Sequence, residues 1–262
     1  MDMLKSATLA LLVTGPLLLT GCHHNDDDSD DDDTGRVSYE LRVTNLTAAQ
    51  PLSPLAVVLH DSAYSMWSVG SSAGDGLEQL AEGGDNTELL SEAASSSAAT
   101  MSGGGVIAPG QNESLIIEAD EMNGLALSFA SMLVNTNDAF TGINAVDVSD
   151  MMAGSSKQLF ITAYDAGTEG NSELASTVPG PAAGGEGYNP ARDDRDSVGG
   201  HPGVVTHDDG LSGSALNESH RFDNPVAHVT ITRMQSQLEG GFIVSRPFRC
   251  LAGLSELYPF SE

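Results

Sequence analysis

Two short acidic motifs sit at the ends of apolar runs, where carboxylates can be presented together to a ligand. Asn135-Thr136-Asn137-Asp138-Ala139-Phe140 follows the run Leu125–Val134, and Tyr164-Asp165-Ala166-Gly167-Thr168-Glu169 completes the run Gln158–Tyr164. Calcium is a hard cation that takes oxygens from carboxylates, amide and backbone carbonyls and water. Asp165 and Glu169 supply two carboxylates four residues apart, with Gly167 between them to let the loop turn tightly. If the two runs lie side by side as strands, Asp138 joins Asp165 and Glu169 at one end of a sheet. The same acids could instead hydrogen-bond loop amides and close turns, as Asp and Asn often do, and spacing alone leaves both readings open.

Other chemistry has weaker support. His60-Asp61, His207-Asp208 and His201, with Ser65 or Ser212 as nucleophile, are the raw material for a hydrolase. No Gly-x-Ser-x-Gly elbow, His-Glu-x-x-His helix or phosphate-binding glycine loop accompanies them. Adjacent His and Asp point to opposite faces of a strand, so adjacency does not make a dyad. A transition-metal site drawing on His23, His24, His60 and His207 lacks any repeated ligand spacing. His228, on an apolar strand, reads as a packed or surface histidine. The expectation is a protein that is not an enzyme.

The amino terminus carries a different signal. After Lys5 comes an apolar stretch, Ala7 to Leu19, too short to span a bilayer comfortably and laid out like a secretory signal. Leu19-Thr20-Gly21-Cys22 resembles the lipobox of bacterial lipoproteins, in which the leader is cut before the cysteine and the cysteine is acylated. That resemblance implies a signal peptide at residues 1–21, lipidation at Cys22, and stable anchoring through several acyl chains. His23, rather than Asp, follows the cysteine, so the expected location is the bacterial cell envelope, at the outer membrane.

Charge narrows the partners. The 262-residue chain has 37 acidic and 10 basic residues, a formal net charge of −27. Asp26–Asp33 contributes seven of those acids, interrupted only by Ser29, and like charges at this density make a solvated tether over residues 22–35. Nucleic acid and direct docking to anionic headgroups are poor partners for this charge; multivalent cations, or a basic protein or glycan surface bridged by them, fit better. With Cys22 acylated, Cys250 stands alone and no intrachain disulfide can form. Stability must then come from a core of ordinary size, which residues 36–235 are long enough to build.

The elements that must position the acids read as strands. Val37, Tyr39, Leu41 and Val43 alternate with polar residues, as on a half-buried strand. Leu55–Leu59, Ser114–Glu118, Leu125–Val134, Gln158–Tyr164 and Val226–Arg233 are further strand candidates. Gly76–Glu82 and Asn86–Ala94 have leucines at helical spacing, with Asn86 at an N-cap position. Ser172–Gly213, rich in Pro and Gly, reads as one long loop with a short strand at Val204–His207. Residues 236–262 are apolar in character, without a clear period, and remain unassigned.

Taken together, Tyr39-Glu40-Leu41-Arg42-Val43-Thr44-Asn45-Leu46-Thr47, Ser53-Pro54, His60-Asp61, Ser131–Gly142, Ala163–Glu169 and Asn224–Ile231 resemble a bacterial spondin-type domain over residues 36–235. The resemblance implies an all-β fold: an antiparallel β-sandwich similar to C2 domains, with long loops and short helical turns. It also implies kinship with the amino-terminal module of F-spondin and mindin, extracellular domains that carry calcium in end loops and serve adhesion and matrix binding. Carried over by motif, Asp138, Asp165 and Glu169 are the calcium ligands. The animal domains use disulfides that this chain cannot form, so their partner specificity does not transfer. The expected function is a lipid-anchored, extracytoplasmic, calcium-binding adhesion or matrix-binding module. Its partner would be an extracellular glycan or protein surface, and its membrane contact the acylated Cys22. The rival expectations are a structural envelope protein without a specific ligand and, behind it, a hydrolase.

Overall fold

A computed structural model of the protein describes residues 35–191 and 195–235. The signal segment, Cys22, the aspartate tether and the segment 236–262 lie outside the described residues. Strand β1 (Arg36–Asn45) buries Val37, Tyr39, Leu41 and Val43 and turns the residues between them outward. This is the outcome its period-2 pattern demands. The Tyr39 hydroxyl, carried into the core, donates to the Val148 carbonyl at 3.0 Å. β1 is a central strand, flanked by β10 (Ala227–Arg233) and β4 (Asn112–Asp120), with β7 (Ser156–Ile161) beyond β10. All pairings in this four-stranded sheet are antiparallel.

The second sheet has six strands in the order β3, β2, β5, β6, β8, β9, also antiparallel. These are β2 (Ala56–His60), β3 (Ser97–Ser102), β5 (Ala126–Met132), β6 (Ala139–Asp147), β8 (Ala163–Asp165) and β9 (Gly199–Gly200). Every residue of β2 and β5 is buried. One face of the sheet packs against the four-stranded sheet through Leu55, Val57, Leu59, Leu127 and Phe129. The other face is covered by helices α1 (Asp75–Gly83) and α2 (Thr87–Ala94) through Leu77, Leu80, Leu89, Val58 and Phe140. A strand covered on both faces reads as a continuous apolar run rather than an alternating one, which is why Leu55–Leu59 and Leu125–Val134 show no period. The fold is an all-β antiparallel sandwich with two short helices.

Several local expectations need correction. The run Gln158–Tyr164 is two strands, β7 and β8, in different sheets, with Thr162 at the step between them. β8 does not pair with β5, because β6 lies between them. β6 and β3 were not foreseen. Val204–His207 is not a strand; a 3₁₀ turn, His207–Asp209, stands at its end. Asn86 does occupy the N-cap position of α2, but its side chain makes no capping bond. It donates instead to the Leu55 carbonyl and the Ser102 hydroxyl, both at 2.9 Å, pinning the helix to β2 and β3.

Candidate metal centre

The turn between β5 and β6 builds one wall of the site. Thr136 closes it: its hydroxyl donates to the Leu133 carbonyl at 2.6 Å and accepts from the Ala139 amide at 3.1 Å. This geometry holds Asn137 and Asp138 fully buried at the head of β6. β8 then pairs Asp165 with Ala139, and the Ala166 amide bonds the Asp138 carbonyl. The loop after β8 therefore wraps over Asp138, whose Oδ2 accepts from the Thr168 and Glu169 amides at 2.9 and 3.1 Å. Asp138, Asp165 and Glu169 are thus brought together, at 0, 0 and 3 % exposure.

Gly167 makes that wrap achievable. Its φ is +71°, and a Cβ there would collide with the Ser197 backbone. Asp165 Oδ1 accepts the Gly167 amide at 2.9 Å, the Asx turn that small acids favour.

The electrostatics are uneven across the three acids. Asp138 Oδ1 is buried and has no hydrogen-bond partner. Burial first, and the neighbouring Asp165 charge second, push the Asp138 carboxyl up to about 7, against the pull of its two amide bonds. Asp165 is better compensated. Arg195 reaches its Oδ1 at 2.6 Å from a half-exposed position, and Asn171 donates to its Oδ2 at 2.7 Å. Glu169 Oε1 accepts from the Asn137 amide nitrogen at 2.9 Å.

A second ring of groups holds these in place. His201 is buried; its Nδ1 accepts from the Gly203 amide at 3.0 Å, which leaves Nε2 as the protonated nitrogen facing Asn171 Oδ1 at 3.2 Å. Burial chiefly lowers the His201 imidazole to about 4, so it stays neutral at physiological pH. Glu173 sits at φ +55° with its Oε1 accepting the Val205 amide and its Oε2 without a hydrogen-bond partner, and burial raises its carboxyl above the ordinary range.

Asn137, Asn171, Glu173 and Arg195 were not singled out by sequence reasoning. Asn137 lay inside the first motif, and Asn171 and Glu173 follow Glu169 closely. Arg195, by contrast, comes from a charged run on the long loop that carries no local signal. The remaining sequence candidates fall elsewhere. His60 is fully buried, 2.7 Å through Nε2 from Ser128 Oγ, beside the β5–β6 bulge where Ser128 also accepts the Ala145 amide. Ser65 donates to the Trp67 carbonyl at 2.7 Å. His207 and Asp208 are exposed neighbours, and His228 packs against Phe160 with ring centroids 4.7 Å apart. His23 and His24 lie outside the described residues.

The donors are carboxylates, one with a bare buried oxygen, and burying like charges together is costly unless a cation joins them. As arranged, however, Arg195 takes the cationic position on Asp165. Among the described residues no three His, Cys, Asp or Glu side chains form a group spaced as metal ligands. The residues fit calcium in kind, and would hold it through Asp138, Asp165 and Glu169 if Arg195 gave way.

A match to the Spondin_N family model spans residues 45–181, from the end of β1 through β8 and the site loops. The chain belongs to the Spondin_N family. Membership points to an extracellular or cell-surface module of adhesion or matrix-related character. No individual curated protein matches the chain. Among the described residues no helix is long and apolar enough to cross a membrane.

Proposed function

We propose that this Spondin_N domain is a calcium-binding adhesion or matrix-binding module, held at the bacterial outer membrane by lipid on Cys22. Its partner would be an extracellular glycan or protein surface. The observation that carries the reading is Asp138: a buried carboxylate with a bare oxygen, set against Asp165 and Glu169. A divalent ion would supply positive charge where two amide bonds are insufficient. It would couple the β5–β6 turn to the loop after β8 and stiffen the end of the sandwich that a partner would meet. Arg195 is the group the ion must displace from Asp165.

The same Arg195 contact favours a second reading. With Asp165 paired to a guanidinium and Glu169 held by Asn137, the site can stand as a metal-free structural knot in an envelope protein without a specific ligand. Calcium titration of the purified chain separates the two. Saturable binding that is lost in Asp165→Asn supports the first reading, and its absence supports the second. Binding of the chain to immobilised extracellular glycans, abolished by chelator, would carry the adhesion role itself.

A further inference from the structure

The loop after β2 builds a pocket that the three acids do not use. Asn144, on β6, holds that loop by three hydrogen bonds. Its Nδ2 donates to the Ser65 hydroxyl at 3.0 Å and the Trp67 carbonyl at 2.6 Å, and its Oδ1 accepts the Met66 amide at 3.0 Å. Buried His60 sets the position of Tyr64 through an edge contact, with ring centroids 4.9 Å apart. His60 is itself fixed by the Ser128 hydroxyl at 2.7 Å and the Asp61 carbonyl at 2.6 Å. Trp67 packs against Phe140 and Tyr164, with centroids 5.2 and 5.6 Å away. Tyr64 and Trp67 are therefore held in place before any ligand arrives, which lowers the cost of binding.

Between this loop and the two helices lies a cavity of about 290 Å³, lined by Tyr64, Trp67, Ser68, Ser71, Leu77 and Glu92. Among the described residues, the Tyr64 hydroxyl, the Trp67 indole N–H and Glu92 Oε2 have no hydrogen-bond partner. Trp67 is only 7 % exposed, and a Trp so enclosed ordinarily finds a partner for its N–H. Glu92 Oε1 accepts the Gly76 amide at 2.9 Å, which pins the carboxylate across α2 and α1 with its other oxygen spare. Burial first, and the Glu92 charge second, push the Tyr64 hydroxyl up to about 12, so it remains a donor. Aromatic walls with two donors and one acceptor match a pyranose, whose ring carbons offer apolar faces and whose rim offers hydroxyls. The net charge of −27 disfavours acidic sugars. A neighbouring hollow of about 450 Å³, lined by Asp61, Ala63, Ser65 and Ser96, shares Tyr64 with the first, so the site continues beyond one ring.

We propose that this pocket binds an uncharged sugar unit of an extracellular glycan, against Tyr64 and Trp67, with Glu92 accepting from its hydroxyls. The proposal rests on the glycan-binding reading above and gives it a site. The pocket shares no residue with Asp138, Asp165 or Glu169, but its rim is tied to their loop. Gly70 and Ser71 exchange backbone bonds with Val198, and the Asp196 amide bonds the Gly167 carbonyl. A shift of Arg195 on calcium binding would reach the pocket along this segment.

Emission from Trp67, the only tryptophan, reads the binding. The purified full chain is titrated with hexamers of glucose, mannose and N-acetylglucosamine, and with polygalacturonate, in calcium and in chelator. At least one neutral hexamer should give a saturable change, and polygalacturonate none. Tyr64→Ala should weaken binding about tenfold. Glu92→Gln, which keeps an acceptor for Gly76, should weaken it about fivefold. Calcium titration should be unchanged in both. Tyr64→Phe, which keeps the ring, should lose less than Tyr64→Ala and covers the case of an alanine variant that misfolds. No response to any neutral hexamer, or a response undiminished in Tyr64→Ala and Glu92→Gln, would overturn the proposal. Sugar binding that persists in chelator or in Asp165→Asn would leave it standing and remove only the calcium dependence of adhesion. Calcium binding without sugar binding would do the reverse.

Discussion

Asp138 ties stability to pH in a way that calcium should reverse. Its folded carboxyl titrates near 7, against 3.8 for the ordinary group. Between those values the folded state holds a proton that the unfolded state has released, so stability falls as pH rises from about 4 to about 7. The loss is complete above that window. At about 1.4 kcal/mol per pH unit the difference amounts to about 4 kcal/mol, an upper figure because the site can relax. Denaturant unfolding in chelator at pH 5 and pH 8 measures it, with Asp138→Asn as the control that removes the titration. The variant should lose most of the pH 5 to pH 8 difference, and the wild-type chain should lose most of it when saturated with calcium. At a hundredfold excess over Kd, calcium adds about 2.7 kcal/mol through native-state binding. A wild-type difference equal to that of Asp138→Asn would refute the assignment of buried charge to this carboxyl.

Further consequences concern the counter-ion, the core and the anchor. Arg195→Ala should lower stability at pH 8 in chelator, by exposing Asp138 and Asp165 to each other. It should also tighten calcium about tenfold by removing the competing cation; denaturant unfolding reads the first effect and titration calorimetry the second, and weaker calcium binding would count against competition. Truncation before Val226 removes the strand that joins β1 to β7, so thermal unfolding should lose its cooperative transition. Phe129→Ala, in the fully buried β5, should cost about 3–5 kcal/mol in denaturant unfolding. Cys22→Ser should shift the protein from the membrane to the soluble fraction or leave residues 1–21 attached; processed protein that stays membrane-bound would argue against lipid anchoring.

How much was legible in the sequence followed from where each signal resides. β1 and β10 announce themselves because one face is buried and one is wet, and alternation records that directly. β2 and β5 were legible as apolar runs, though a run does not say which layers cover it. β6 was missed because its first residues, Ala139–Phe140, belong to an acidic motif and Gly142 interrupts the pattern. That glycine is required: a Cβ there would collide with the Phe129 carbonyl oxygen. The split of Gln158–Tyr164 was invisible because both halves are apolar, and only the sandwich geometry sends them to different sheets. At the site, Asp138, Asp165 and Glu169 were legible as acids flanking strands. Their convergence depends on β6 lying beside β8, a long-range pairing. Arg195 and His201 arrive from the long loop and carry no spacing signal toward Asp165 at all.

The proposed function requires Asp138, Asp165 and Glu169 to form a specific calcium site. Calorimetric titration of the purified chain with calcium, repeated on Asp165→Asn and on Asp30→Asn in the acidic tether, tests it most directly. The account predicts one saturable site, a rise in melting temperature with calcium that magnesium does not match, loss of both in Asp165→Asn, and retention of both in Asp30→Asn. Magnesium should do less because it demands a rigid octahedral shell and holds its waters. Equal thermal shifts from calcium, magnesium and sodium chloride at matched ionic strength would contradict it, leaving only general screening of an acidic surface.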